Sequence, residues 1–341
     1  MKIQVRQICL VALASLLIGL IHVPQLFGQR SRPQNSPVWN NYYHISYGIQ
    51  GGVAWYQGDL DDNAFDFGEE GSNPFKQKSF RPSFGLQLNF HFNPYMYWRL
   101  MVNHGWIGGA DSLNTNEARK ARNLHFRSPV TEGSFQLVIE PFAHNDYSRL
   151  RKVWGPYFYF GVGVFQFNPK AKPDPTWESA YPRLFPYQDR WYELQPLGTS
   201  GQNLPDNIRS QYSLPEPYSL TQFCIPFGIG LRCRLSRYVD FRAEFGVRKT
   251  FTDFLDDVGG KYYAPPEQLL TIISPDGRRG FLFADRSLYT RYGKNRRFDL
   301  GTDPGQFYGA SAFEGEIRAD QSDNDWYGFI TIGITKIIKN R

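Results

Sequence analysis

Cysteine is scarce in this chain, with three among 341 residues, and methionine and histidine are hardly commoner, at three and six. Three thiols cannot supply the set of bridges that staples a small secreted fold. Cys9 lies inside an apolar N-terminal run, and Cys224 and Cys233 stand nine positions apart in one candidate strand. An odd separation puts that pair on opposite faces, so the two cannot bond to each other. Both read as structural, and no metal or cofactor site follows from them. Long apolar runs are missing too. After residue 23 none approaches the roughly 20 residues that a membrane helix needs, and mean hydropathy is −0.48. Disorder is excluded by the opposite feature, since aromatics make up 17% of the chain and disordered segments are poor in them. The formal net charge of +6 comes with no basic helix and no repeated basic–aromatic motif, which argues against a nucleic-acid partner.

A β-barrel facing lipid reconciles many aromatics with low hydropathy, because only every second strand residue must be apolar. The one long apolar run, 8–23, follows Lys2 and Arg6 and relaxes toward Gly28. Basic, apolar and then a small residue is the layout of a secretory signal peptide. We place it at 1–28, with a periplasmic N-terminal segment at 29–42 and the barrel at 43–341. Export through a cleaved signal directs such a chain to the outer membrane.

Period-two alternation recurs in eight segments. The first sets Tyr43, Ile45, Tyr47, Ile49, Val53 and Trp55 against His44, Ser46, Gly48, Gln50, Gly52 and Ala54. The second sets Phe84, Leu86, Leu88 and Phe90 against Ser83, Gly85, Gln87 and Asn89. Further segments centre on Leu100, Phe135, Phe160, Phe227, Phe245 and Ile332. Eight is an even count, as single-chain bacterial barrels have. The expected fold is therefore all-β, an eight-stranded antiparallel transmembrane barrel with long extracellular loops. Links alternate between short and long. Tight turns fall at Asn93-Pro94 and Ser236-Arg237, and the longest loops run over about 168–217 and 252–325. Antiparallel partners must share a face, which places Asn89 opposite Arg99, Arg232 opposite Arg242 and Arg234 opposite Asp240. Glu244 then lies diagonal to Arg232, within reach of it.

The inward positions carry Arg99, Glu132, Glu140, Arg232, Asp240, Arg242, Glu244 and Arg248. An eight-stranded barrel is just wide enough for side chains to fill, and unpaired charge inside it is costly. These residues read as an ion-pair network plugging the lumen; the competing reading is a charged pore. His44, His91 and the nearby Ser46 face inward near the periplasmic end, a faint suggestion of hydrolase chemistry set against ordinary polar lining. The acids Asp253, Asp256, Asp257, Asp320, Asp323 and Asp325 lack the spacing of a calcium loop and read as solvated loop carboxylates. Catalytic and metal-binding residues are thus not assigned. Arg30, Arg32, Arg149, Arg151, Lys152, Arg237, Lys336, Lys339 and Arg341 gather toward the periplasmic side. Such a basic rim either docks an acidic partner or peptidoglycan, or is scattered solubilising charge.

The loops carry further motifs: Tyr56-Gln57-Gly58-Asp59-Leu60, Asn123-Leu124-His125-Phe126-Arg127-Ser128, Phe167-Asn168-Pro169-Lys170-Ala171 and Leu197-Gly198-Thr199-Ser200-Gly201-Gln202. They continue with Arg248-Lys249-Thr250-Phe251-Thr252-Asp253-Phe254-Leu255-Asp256-Asp257-Val258, Ala284-Asp285-Arg286 and Asn324-Asp325-Trp326-Tyr327. In order and in position at strand ends, this set resembles the PorG-like outer-membrane proteins of Bacteroidota. The resemblance marks Gly58, Asp59, Thr252, Asp253, Asp256 and Asp257 as a family-like loop motif. It implies a non-enzymatic accessory barrel of the type IX secretion system that contacts periplasmic ring subunits and outer-membrane lipid. The alternative expectation is a surface-binding barrel whose long loops hold a ligand or host molecule.

Overall fold

The computed structural model describes residues 44–60, 80–113, 122–143, 152–174, 182–187, 190–260, 264, 268–269, 275–284, 286 and 324–338. The expected signal peptide and N-terminal segment lie outside them. Eight long strands make the wall: β1 (His44–Gln57), β2 (Arg81–His91), β3 (Met96–Ala110), β4 (His125–Ile139) and β5 (Trp154–Phe167). Beyond β5 comes a small ribbon of β6 (Lys170–Ala171) and β7 (Tyr192–Glu193), and then β8 (Thr221–Arg234), β9 (Val239–Thr250) and β10 (Trp326–Ile337). Every pairing is antiparallel, in the order β3-β2-β1-β10-β9-β8-β5-β4, and β3 pairs with β4 to close the ring. The fold is an eight-stranded closed antiparallel barrel of the outer-membrane type.

Alternation decides the two faces. Ile49, Leu86, Val102, Val162, Ile229 and Ile332 point outward and are each more than half exposed, while their strand neighbours Gln50, Gln87, Asn103, Gly163 and Thr331 are buried. A soluble barrel would invert this; an apolar outside and a polar inside suit a wall immersed in lipid. Asn89 stands opposite Arg99, Arg232 opposite Arg242 and Arg234 opposite Asp240. In the β2–β3 turn the Asn93 carboxamide oxygen accepts the Tyr95 and Met96 N–H groups at 2.8 and 2.7 Å, a side chain imitating a backbone turn. Where β1 crosses β10, a Cβ on Gly52 would collide with the Ile330 carbonyl oxygen, so only glycine lets these backbones pair so closely.

The wall rises higher than the alternating segments suggest. β3 continues to Ala110 and β4 begins at His125, and near these ends Ile107, Gly108 and Gly109 are buried in succession. At this height the mouth loops pack against the wall, so period two no longer separates a lipid side from a lumen side cleanly. The long loops have structure of their own. They include the β6–β7 ribbon, α1 (Asp206–Gln211) and α2 (Pro275–Ala284). Phe185, Leu194, Leu197, Tyr218, Leu255, Val258 and Phe283 bury a shared apolar core with Tyr56, Phe165, Phe167, Tyr327 and Phe329 of the wall.

Candidate functional site

The eight inward charges balance, four arginines against four carboxylates, and all are buried. Arg99 of β3 meets Glu244 of β9 at 2.9 Å. By strand order these two stand diametrically opposed, four strands apart either way round, so the pair spans the lumen. Arg248 reaches Glu132 at 2.8 Å, and Arg232 reaches Glu140 at 2.8 Å with Asp240 at 4.0 Å. Arg242 bonds the Tyr97 hydroxyl and, at 3.2 Å, the Thr335 hydroxyl, with Glu140 at 3.9 Å.

The diagonal expected between Glu244 and Arg232 is not the contact that forms. Glu244 crosses the barrel to Arg99 and takes the Tyr157 hydroxyl at 2.5 Å, leaving Arg232 to Glu140. In so narrow a tube two long side chains can meet across the axis, and Arg99 offers Glu244 a partner away from the crowded Arg232–Arg242 step. Tyrosines complete the lining. The Arg99 guanidinium lies 5.3 Å from the Tyr159 ring, Arg242 lies 5.3 Å from Tyr97, and Arg248 lies 4.5 Å from Phe329. Nearer the periplasm the His44 and His91 rings stack at 4.0 Å, and Tyr97 lies 4.2 Å from His91. Ser46 Oγ is 3.3 Å from His91 Nε2 and accepts the Asn89 amide at 3.1 Å. Cys224 faces inward against Tyr327 at 3.7 Å, and Cys233 lies on the other face.

The second site is the barrel mouth, where motifs from distant stretches of sequence converge. Tyr56, at the top of β1, places its hydroxyl 2.7 Å from an Asp256 oxygen and 2.9 Å from an Asp325 oxygen. One hydroxyl brings one hydrogen, so one of the two carboxyls must supply the other. The surroundings favour this. Burial and the neighbouring Asp59 push the Asp256 carboxyl up to about 8. Burial, with Asp256 and Asp253 close by, raises Asp325 well above the usual carboxylate range. Backbone N–H groups of Val258 and Leu255 cap Asp256 and Asp325 at 2.8 and 2.9 Å. Asp257, held at a left-handed φ of 67°, takes the Tyr218 hydroxyl at 2.7 Å and bonds the Thr199 hydroxyl. Thr250 donates to the Asp325 carbonyl at 2.5 Å, and Thr252 Oγ1 accepts the Phe254 N–H at 3.2 Å. Gly58 is required here, because a Cβ would strike both Asp325 and the Tyr56 hydroxyl.

The reading of these acids as solvated is therefore corrected for Asp256, Asp257 and Asp325, each 1% exposed. Asp253 is half-buried, and Asp320 and Asp323 lie outside the described residues. Among the described residues no group of three or more His, Cys, Asp or Glu side chains is arranged to hold a metal ion. Next to this core Asp111 and Arg122 form a buried two-point pair at 2.8 Å each, and Arg122 also reaches the Asp59 carbonyl at 2.9 Å. The sequence reading did not find that pair. The partners stand eleven positions apart, and the only signal available was their opposite charge near the ends of two strands. Of the basic rim, Lys152, Arg237 and Lys336 are described. Lys152 lies 5.6 Å from the Phe142 ring, and Arg237 is exposed beside Tyr238. Lys336 is exposed at the end of β10; Arg30, Arg32, Arg149, Arg151, Lys339 and Arg341 lie outside the described residues.

No protein-family model matches the chain, and no curated protein matches it. Among solved structures it is similar to Neisserial surface protein A, at 5% identity and a TM-score of 0.36, over 86% of this chain and 96% of that one. It is similar to Ail, the attachment invasion locus protein of Yersinia pestis, at 8% identity and a TM-score of 0.34, over 87% and 99%. It is also similar to the outer membrane protein OprG from Pseudomonas aeruginosa, at 11% identity and a TM-score of 0.32, over 86% and 97%.

Proposed function

We propose that this chain is a non-catalytic outer-membrane scaffold barrel, closed to solutes, and an accessory component of the type IX protein secretion machinery. The observation that carries the scaffold reading is the Arg99–Glu244 pair across the full width of the lumen. A general diffusion pore needs water along its axis, and this axis holds paired charge and aromatic rings. Support for the secretion role comes from the PorG-like motifs. Gly58-Asp59, the 252–257 stretch, Asp325 and Tyr327 are scattered in sequence yet come together at the mouth.

The partner side is then the periplasmic rim, whose Lys152, Arg237 and Lys336 give it a positive charge that suits acidic ring subunits. Crosslinking in cells, followed by purification of the barrel from outer membranes, is expected to recover periplasmic ring subunits. Recovery of the barrel without them, under conditions that keep the ring intact, would count decisively against the role. The second reading, a surface-binding barrel, is favoured by the packed core within the long loops. Removing residues 190–220 while secretion continues unchanged, with loss of a surface ligand, would select it.

A further inference from the structure

The outer wall carries one strip whose chemistry neither the sealed lumen nor the mouth core uses. On β3 the outward positions run Met96, Trp98, Leu100, Val102, His104 and Trp106. From Met96 to Trp106 is ten residues, or about 26 Å of height at roughly 3.4 Å per residue and a tilt near 40°. That is about the thickness of the apolar band of an outer-membrane barrel, so Trp106 stands at its extracellular edge. Arg127 of β4 pairs with Gly108, one outward step above Trp106. Its guanidinium lies 5.9 Å from the Trp106 ring and 5.9 Å from the Trp191 ring, and it is exposed.

Other cations gather on this strip. Lys172 lies 5.7 Å from the same Trp191 ring, and Arg190 lies 5.7 Å from the Tyr192 ring. Lys170 pairs with Arg127 in the β4–β6 bridge. The Arg81 side chain comes alongside Gly108, within electrostatic reach of Arg127. Glu193 engages Lys170 and Asn168 at 2.9 Å each, and Arg81 and Arg127 make no ion pair among the described residues. The buried Nε of Arg81 has no hydrogen-bond acceptor there. Two guanidiniums close together and without a carboxylate repel each other; an anion with several oxygens relieves both at once. At this height, outside the wall, the neighbour is the headgroup layer of the outer leaflet.

We propose that this strip binds a phosphorylated glycolipid of the outer leaflet. The phosphate sits between Arg127 and Arg81, and Trp106 and Trp191 pack against the sugar and the upper acyl chains. The inference rests on placement in the outer membrane and is independent of the secretion role. The probe is lipid A bearing phosphate, titrated into detergent-solubilised, folded protein against the same lipid with its phosphate removed. Charge-assisted contacts of this kind predict about a tenfold weaker affinity for Arg127→Gln and a larger loss when Arg81→Gln is added. Removing the phosphate is expected to weaken the unaltered protein about tenfold and to leave the double variant nearly unchanged. Lys249→Gln, beside Trp326 on the far side of the rim, serves as control, with less than a twofold effect. Retained gel mobility of unheated samples checks that the variants are folded, and Arg127→Lys is expected to fall between the two extremes. Equal binding of both lipids, or full displacement by millimolar inorganic phosphate, overturns the proposal. So does an unchanged affinity in the double variant.

Discussion

Replacing Glu244 by Gln should show whether the lumen is dry. The Glu244 carboxylate lies 2.9 Å from Arg99 and takes the Tyr157 hydroxyl at 2.5 Å, and Arg99 is fully buried. Gln keeps the shape and an acceptor for Tyr157, so what is lost is the negative charge facing a buried guanidinium. Breaking a buried pair in this way costs about 3–5 kcal/mol, or about a thousandfold in the unfolding equilibrium at the middle of that range. With a urea slope of roughly 2 kcal/mol per molar, the midpoint should fall by about 2 M. Removing both charges, with Arg99→Met and Glu244→Gln together, should cost no more than about 1 kcal/mol, because the desolvation penalty disappears with the pair. The assay is a urea titration of barrel refolded in detergent micelles, scored by gel mobility without heating. The reasoning fails if the single variant costs under about 1 kcal/mol, or if the double variant costs as much as the single one. The first result would mean that water already solvates Arg99 and that the lumen is not sealed; the second would mean that packing, and not the unpaired charge, sets the cost.

Reconstituted in planar bilayers, the unaltered barrel should give no stepwise conductance; steps of porin size would refute the plug. The mouth core should loosen as pH rises. A carboxyl whose folded value is raised stabilises the fold in its protonated form, fully below its unfolded value of about 4. That contribution falls as pH climbs toward the folded value of about 8 for Asp256. Limited proteolysis across 251–258 should therefore speed up between pH 4 and pH 8, and Asp256→Asn should flatten the profile; a flat profile in the unaltered protein would contradict the shared-proton arrangement. Gly58→Val forces a side chain against Tyr56 and Asp325. It should expose the same segment to protease while the heat-modifiable mobility of the barrel persists, whereas loss of both would show that mouth and wall fold as one unit.

The wall was legible because one physical rule repeats along it. Lipid outside and a polar lumen inside impose period two on every strand, so the faces of Leu86, Val102 and Ile332 could be read directly. Register followed from the turns, since only an odd loop keeps Arg232 and Arg242 on one side. Pairing inside the lumen was less accessible. Sequence spacing sees the diagonal neighbour, Arg232, but not the side chain four strands away, and it was Arg99 that Glu244 met. The mouth was least legible of all. Loop composition there is polar, and polar loops ordinarily face water, yet Asp256, Asp257 and Asp325 are each 1% exposed. Their burial depends on tyrosines and backbone N–H groups drawn from β1, from the 192–220 stretch and from the 251–258 loop. No local pattern encodes that gathering.

Sealing at two levels narrows what the molecule can do. To carry a solute through, the barrel would have to open the Arg99–Glu244 and Arg248–Glu132 bridges and then lift a mouth core built from loops on both sides of the ring. Each buried pair broken leaves uncompensated charge at a cost of several kcal/mol, and an apolar core holds the loops above them. On the proposed reading, a barrel assembled in this way is a rigid scaffold and not a carrier. The two surfaces that the proposals above give a role are the outer wall around Arg127 and Trp191 and the rim around Lys152, Arg237 and Lys336. A protein fixed in lipid at one of these surfaces and open to partners at the other is suited to position something else in the membrane, and that is the role tested by the crosslinking and lipid-binding experiments together.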